Sequence, residues 1–151
     1  MEIKYAQIGD MPVILELQKL AYQSEAEIYN DFTIPPLTQT LEEIKNDFSH
    51  QTFIKAIIND KIIGSVRAYE KEGTCYIGRL IVHPDFQNQG IGTKLMNKIE
   101  AIFQDAKRYE LFTGHKSKRN LYLYQKLGYK KFKTEKINEN LKLVYLEKFK
   151  K

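Results

Sequence analysis

Apolar positions along the chain recur with two different periods, and the changes of period divide it into predicted strands and helices. Short runs rich in apolar and β-branched residues predict strands over residues 3–8, 52–58, 62–69, 74–82, 109–113, 129–136 and 141–149. Apolar residues spaced three or four apart predict helices over residues 10–29, 40–48, 91–103 and 117–127. The order β-α-α-β-β-β-α-β-α-β-β predicts an α/β fold with a mixed sheet.

Polar residues and prolines mark several element boundaries. Thr40 followed by Glu43 is a capping-box pattern. Asp10 and Ser117 are each expected to cap the helix that follows. Pro35-Pro36 predicts a stiff loop, because proline stops a helix.

Composition and charge narrow the class of protein. Hydrophobic residues make up 42% of the 151 residues, which is ordinary for a globular chain and predicts one domain over residues 1–151. The formal net charge of +5 suits an anionic ligand. The lysines and arginines are scattered, however, and no nucleic-acid-binding motif accompanies them, so a nucleic-acid partner is a lesser alternative.

Cysteine content and hydropathy suggest the compartment. Cys75 is the only cysteine, so the chain can form no internal disulfide and no thiolate metal site. No metal is expected, and a reducing cytoplasmic location fits best. The apolar runs are far shorter than the roughly 20 residues of a membrane helix, so no membrane association is expected.

The most specific chemistry lies in the glycine turn, Gln87-Asn88-Gln89-Gly90-Ile91-Gly92. It joins the strand predicted at 74–82 to the helix predicted at 91–103. Backbone N–H groups are free at the start of a helix, where the helix dipole also favours negative charge. The turn therefore predicts a site for a phosphate-bearing ligand.

Two common phosphate motifs do not fit the glycine turn. A P-loop ends in Gly-Lys-Ser/Thr, whereas Gly92 is followed by Thr93 and Lys94. A dinucleotide fingerprint needs glycine or alanine where Leu95 stands, and it follows an early strand. This turn comes instead after three predicted antiparallel strands.

Two segments carry a family resemblance. LIVHPDFQNQGIGTKLM, at residues 80–96, resembles the acetyl-CoA-binding segment of the GNAT superfamily of N-acetyltransferases. SKRNLYLYQKLGY, at residues 117–129, is similar to a later helix of that family. The resemblance is strong over residues 75–131, and the element order extends it. It implies the GNAT fold, acetyl-CoA as cofactor, and direct transfer of an acetyl group to a primary amine.

The resemblance also implies how the cofactor is held. The backbone amides of residues 87–93 would receive the CoA pyrophosphate. Pantetheine would pair with the fourth strand where it splays from the fifth, near Ile81 and Val82. The Leu80 N–H would face the thioester carbonyl, and Asn120 would bind pantetheine or phosphate. The expected cofactor-binding residues are Leu80, Ile81, Val82, Gln87, Asn88, Gln89, Gly90, Ile91, Gly92, Thr93, Asn120 and Tyr124.

Two catalytic residues are expected on the same basis. Tyr124 matches the family tyrosine beside the thiol, and its phenol would protonate the departing thiolate. Many members place a glutamate where Tyr76 stands, so this chain departs from the family pattern. Glu70 is the expected general base instead, directly or through water relayed from it or from Glu72. His83 is expected to cap the following turn.

The family's acceptor pocket lies between the first two helices, their loop and the last hairpin. Acidic and aromatic residues there suit a cationic amine, although a solvated helix face explains them equally well. Strict alternation puts Tyr76, Gly78, Leu80 and Val82 on one strand face, with Gly78 leaving room for a substrate. The expected acceptor residues are Glu27, Tyr29, Phe32, Tyr76 and Gly78, with Glu25 and Asp31 nearby.

The leading hypothesis is therefore an acetyl-CoA-dependent N-acetyltransferase acting on a small-molecule or peptide amine. A catalytically silent CoA-binding module is the alternative, because the fourth strand lacks the glutamate. The family often dimerises, which makes a homodimer one expected arrangement.

Overall fold

The protein, described here over residues 1–150 by a computed structural model, contains one mixed sheet of seven strands. The strands are β1 (Glu2–Tyr5), β2 (Thr52–Ile58), β3 (Lys61–Lys71), β4 (Thr74–Val82), β5 (Arg108–Gly114), β6 (Lys130–Lys136) and β7 (Lys142–Phe149). Their order across the sheet is β1-β2-β3-β4-β5-β7-β6. Every neighbouring pair is antiparallel except β4 and β5. The predicted mixed α/β fold is confirmed.

Helices cover both faces of the sheet. They are α1 (Met11–Ala21), α2 (Gln23–Tyr29), α3 (Pro35–Thr38), α4 (Leu41–His50), α5 (Ile91–Ile102) and α6 (Lys118–Lys126). Helices α1 and α4 pack on one face, called here the α1 face, and α5 packs on the other, the α5 face. None of the helices in residues 1–150 has the length and hydropathy needed to cross a bilayer.

The larger core lies on the α5 face. Ile91, Leu95, Met96 and Ile99 form the apolar stripe of α5 and pack on the sheet with little or no exposure. Burial of each such side chain contributes about 1.5–3 kcal/mol. The smaller core on the α1 face joins α1 and α4 to Phe53 of β2. The start of α5, where the glycine turn ends, is thus held rigidly against the sheet.

Three local predictions differ from the structure. The helix predicted over residues 10–29 is divided at Tyr22, which ends α1 and precedes α2. Pro35-Pro36 begins the short helix α3, where proline loses no hydrogen bond because first-turn N–H groups have no acceptor. Asp10 does not cap α1; its carboxylate accepts from the Gln7 N–H and pairs with Lys55.

A β-bulge interrupts β4. Arg79 has a φ of +51°, in the left-handed region. On β3, Arg67 pairs with Gly78, whereas Ser65 pairs with Ile81, so that the register shifts by one residue between the two pairs. Two residues of β4 consequently oppose one residue of β3, which defines a bulge.

The bulge overturns the expected alternation of side chains along β4. The prediction that Tyr76, Gly78, Leu80 and Val82 share one face is wrong. Gly78 lies across from Arg67, whose side chain bonds to α1 and α4, so the segment before the bulge presents these positions to the α1 face. Leu80 and Val82 instead pack against the core on the α5 face.

The sheet splits between β4 and β5. The two strands pair only at Thr74, Cys75 and Tyr76 of β4, opposite the first residues of β5. Beyond Tyr76 the strands diverge, so the edge of β4 from Ile77 to Val82 faces no strand on that side. The separation begins earlier than the expected position near Ile81, and it opens the groove that contains the candidate site.

Candidate functional site

A groove of about 670 Å³ lies at the split in the sheet. Its walls are the end of β4, the glycine turn, the first turn of α5, α6, and the junction of α1 with α2. Ten of the twelve predicted cofactor-binding residues line it: Leu80, Ile81, Val82, Gln87, Asn88, Gly90, Ile91, Gly92, Thr93 and Asn120. Gln89 and Tyr124 are not among the lining residues.

The glycine turn presents unpaired backbone donors to the groove. Asn88 and Gly90 have φ values of +63° and +79°, a conformation that glycine adopts without strain. Within residues 1–150, the N–H groups of Asn88, Gln89 and Gly90 donate to no backbone acceptor. The first N–H groups of α5 likewise have no acceptor within the helix. This end of the groove can therefore receive an anion through backbone donors.

The Gln87 side chain braces the turn. Its Nε2 donates to the carbonyl oxygen of Val82 at 3.3 Å, and its Oε1 accepts from the Arg119 guanidinium on α6. His83 fixes the preceding turn as predicted, because its Nδ1 accepts from the Asp85 N–H at 3.0 Å. The glycine turn is thus tied both to β4 and to α6.

Basic residues of α6 and the loop before it form a positive rim that sequence reasoning missed. The groove-lining cations are Lys116, Lys118, Arg119 and Lys126. They belong to the same segment as the second family motif, but only the fold shows that they face the glycine turn across the groove. Positive charge at this position favours a phosphorylated ligand.

Asn120 and Tyr124 lie one turn apart on α6. Asn120 lines the groove, and its Nδ2 donates to the Thr113 hydroxyl at 3.3 Å. Tyr124 is only 6% exposed, and its ring packs edge-on against Tyr129. Burial raises the Tyr124 pKa, and the nearby Tyr22 and Glu25 raise it further. Its phenol therefore stays neutral and keeps its proton.

Glu25 is the one carboxylate that lines the groove in the described part of the chain. Its Oε2 accepts from the Ser117 hydroxyl at 2.5 Å, and Ser117 also lies 2.7 Å from the Tyr29 hydroxyl. The expected capping role of Ser117 is wrong, since its side chain makes no cap bond to α6. Residues distant in sequence hold Glu25 in place, which is why no local motif identified it.

The predicted acceptor residues of the first helices do not converge on the groove. Tyr29 is buried, and its hydroxyl accepts from the Lys116 N–H at 2.9 Å. Glu27 and Phe32 are exposed, and neither lines the groove. Asp31 accepts from the N–H and hydroxyl of Thr33 in a local turn.

The remaining predicted residues lie on β3 and β4. Tyr76 stacks on Tyr69, and Gly78 faces open space on the α1 face. Glu70 pairs in register with Cys75 and acts on the pKa of that thiol, which belongs to the core of the α5 face. The five residues from Cys75 to Leu80 span about 16 Å of strand. The structure therefore does not bring Glu70 to the groove.

The split sheet and its groove define the class of protein, because this is the fold of an acyltransferase. Residues 14–129 match the model of the acetyltransferase (GNAT) family. The chain belongs to this family, as the two sequence segments predicted.

Two solved structures show how closely the fold is shared. PaiA N-acetyltransferase from Thermoplasma acidophilum, in complex with coenzyme A, superposes with a TM-score of 0.80 at 16% identity, covering 99% of this chain and 100% of that one. The ribosomal-protein-S18-alanine N-acetyltransferase from Escherichia coli gives 0.81 at 12% identity, covering 98% and 92%. At such identities the likeness concerns the fold.

A curated protein has a higher sequence identity to this chain than these two structures do. The UPF0157 protein YqkA of Bacillus subtilis (strain 168) is 34% identical over 131 residues, which is 86% of this chain. The match spans only 37% of the length of YqkA.

Proposed function

We propose that this chain transfers the acetyl group of acetyl-CoA directly to a primary amine of a small molecule or peptide. The observation that carries the proposal is the free edge of β4, which runs from the bulge to the unpaired N–H groups of the glycine turn. An edge of this kind accepts an extended ligand as an added strand. A helix start at its end receives phosphate.

The residues of the groove fit CoA. The donors of residues 87–93 and the rim cations would hold its phosphates, and the backbone of residues 80–82 would pair with pantetheine. Asn120 is placed to bind the same ligand from α6. When bound, the thioester supplies an activated acetyl group with a thiolate as leaving group.

Two groups of the chain would stabilise the transfer. The Leu80 N–H, beside the bulge, would donate to the developing oxyanion while the new C–N bond forms. Tyr124 would donate a hydrogen bond to the sulfur as the C–S bond breaks. Because burial raises the Tyr124 pKa, this phenol stabilises the thiolate by hydrogen bonding better than by complete proton transfer.

The amine must lose a proton before it attacks. For an amine with a pKa near 10.4, this costs about 4.6 kcal/mol at pH 7. Glu25 is better placed than Glu70 to accept that proton, since it lines the groove and a fixed hydrogen bond orients it. Glu70 stays a prediction of the sequence without a supporting contact.

Thiol release measured with acetyl-CoA and a broad panel of amines tests the proposal. Amine-dependent release of free CoA, with acetylated amine found by mass spectrometry, is the expected result. Gly90→Val is the matched loss-of-binding variant, because a β-branched residue is strained at a φ of +79°. Thiol release that does not depend on any amine would contradict the proposal.

A silent CoA-binding module is the second candidate, favoured by the lack of a carboxylate in β4. It predicts tight binding of acetyl-CoA by calorimetry, with no turnover of any amine in the panel.

The single cysteine supports a cytoplasmic location for the protein, where thiols stay reduced.

A further inference from the structure

A recess opens on the α1 face of β4, just before the bulge. A Cβ at Gly78 would meet no heavy atom within 4 Å apart from its chain neighbours. Gly78 lies across from Arg67 and next to Arg79. On the other side, Tyr76 stacks on Tyr69 with ring centroids 5.2 Å apart. Gly78, which has no side chain, thus forms the base of the recess, with two arginines on one side and an aromatic pair on the other.

Arg67 already has its counterion. It is only 4% exposed, and its Nη1 donates to the Asp47 carboxylate at 2.9 Å. Its Nη2 donates to the Oε1 of Gln18 at 2.5 Å. The same Asp47 oxygen, Oδ2, also accepts from Gln39 at 2.6 Å. Arg67 is therefore a structural part of the α1 face.

Arg79 differs from Arg67 in having no carboxylate. Among residues 1–150, no acidic oxygen lies within 4.0 Å of its guanidinium. Its Nε is buried and has no hydrogen-bond partner. A desolvated guanidinium donor without an acceptor is unfavourable, and an anion bound at the other donors of this guanidinium would offset part of that cost.

A second guanidinium, that of Arg67, lies near Arg79. Burial lowers the pKa of Arg67 to about 10, and the charge of Arg79 lowers it as well. Burial raises the pKa of Tyr22, and the charge of Arg79 opposes that rise. The two guanidinium groups thus lie close enough to repel; Asp47 is paired with Arg67, and Glu25 is the other negative charge that acts on Tyr22.

We propose that Arg79 binds an anionic group, a carboxylate or a phosphate, on the amine that receives the acetyl group. The inference rests on the proposed transfer to an amine. A guanidinium binds either oxyanion through two parallel N–H donors. Arg79 immediately precedes Leu80, the proposed oxyanion donor, so the anion would be held close to the reacting carbonyl. Amino acids and aminoalkyl phosphates carry an amine and an anionic group a few bonds apart.

This assignment replaces the cationic acceptor that the first helices suggested. Of the acidic residues expected there, Glu27 and Asp31 do not line the groove, and Glu25 is bonded to Ser117. The open surface at Gly78 is flanked by arginine instead.

Matched substrate pairs test the proposal, since each pair keeps an amine and changes the anionic group; rates are compared per free amine, because the amine pKa also differs within a pair. Amino acids are compared with their amides, and phosphoethanolamine with ethanolamine. Wild type is expected to show kcat/KM about 10- to 100-fold higher for the anionic member of at least one pair. The carboxylate and phosphate pairs distinguish the two sources of the anion.

Three variants complete the experiment. Arg79→Gln is expected to abolish the preference by raising KM for the anionic member alone, and Arg79→Lys to retain part of it. Lys61→Gln removes one exposed charge elsewhere and should retain all of it. Equal use of both members by wild type, or an equal loss for both members in Arg79→Gln, overturns the proposal.

Failure of the proposed function can be recognised separately. If no amine releases thiol, the same pairs are titrated calorimetrically into CoA-saturated protein. The affinity for the anionic amine, relative to its uncharged partner, is then compared between wild type and Arg79→Gln. An Arg79-dependent preference for the anionic amine then supports the site without catalysis, and no preference overturns it.

Discussion

The guanidinium of Arg119 on α6 donates a hydrogen bond to the side-chain oxygen of Gln87, 32 positions earlier in the chain. The contact brings to the glycine turn a positive charge that Gln87 itself lacks. It also joins the two sequence segments that carry the family resemblance at one end of one groove.

Arg119→Ala should weaken CoA binding about fivefold, because an exposed cation contributes roughly 1 kcal/mol to an anionic ligand. The effect should shrink as salt is raised, since exposed charges are screened. Calorimetry at two salt concentrations measures both. Lys61→Ala, which removes a charge outside the groove, is the control; equal affinities of the two variants would contradict a role for Arg119.

Tyr124→Phe should lower kcat about 10- to 100-fold and leave the KM for acetyl-CoA nearly unchanged, because the phenol acts on the leaving sulfur. Since burial raises the Tyr124 pKa above the ordinary value of 10.0, the kcat profile should show no tyrosine ionisation below pH 10. Tyr5→Phe is the control, as Tyr5 lies on β1 outside the groove and is 59% exposed. A similar kcat for both variants would remove the assigned role.

Glu25→Gln should lower kcat at pH 7 about 100-fold, because the amine loses its proton acceptor. Raising the pH should restore part of the rate, since the free amine then becomes more abundant. Glu70→Gln should stay within about twofold of wild type, because Glu70 does not reach the groove. A larger loss of kcat in Glu70→Gln than in Glu25→Gln would instead indicate that Glu70 is the general base.

Cys75 should resist thiol-modifying reagents until the protein unfolds. Its side chain is buried, and burial raises its pKa to about 12 from an ordinary 9.0, with Glu70 and Glu100 adding to the rise. The thiolate is therefore scarce in the folded state. Alkylation followed by mass spectrometry, with and without denaturant, measures this; rapid labelling of native protein would contradict it.

The same shift predicts a loss of stability in alkali. The pKa of Cys75 is higher in the folded protein than in the unfolded chain. Its contribution to the free energy of unfolding is therefore complete below about pH 9. It is lost as the pH rises from 9 toward 12, because the unfolded chain releases the proton first. Denaturant unfolding of wild type and Cys75→Ser across this range would show whether the thiol contributes to the slope.

Local patterns identified much of the structure around the groove. The strand predicted over residues 74–82 has those bounds in the structure, and the Thr40 capping box forms with Glu43 at 3.1 and 2.8 Å. The glycine turn and the start of α5 also agree. These features depend on contacts within a few residues, which a sequence displays directly.

Other features of the groove depend on contacts across the fold, which local patterns do not show. Glu25 is oriented by Ser117, 92 positions away, and Tyr29 by the same hydroxyl at a separation of 88. The left-handed residue of the bulge is an arginine, and the one local signal of the bulge is the preceding Gly78, which is interpreted above as room for a substrate. Strict period-2 counting therefore assigned the wrong faces after that residue.

Because of the bulge at Arg79, substitutions before and after it on β4 affect side chains on opposite faces of the sheet. From residue 80 onward the strand would contribute mainly backbone to the donor, while the side chains of Leu80 and Val82 pack against the core on the α5 face. Tyr76 and Gly78 before the bulge, and Arg79 within it, border the recess on the opposite face. If the proposed sites are correct, substitutions there would change which acceptor binds and leave the backbone edge for acetyl-CoA unchanged.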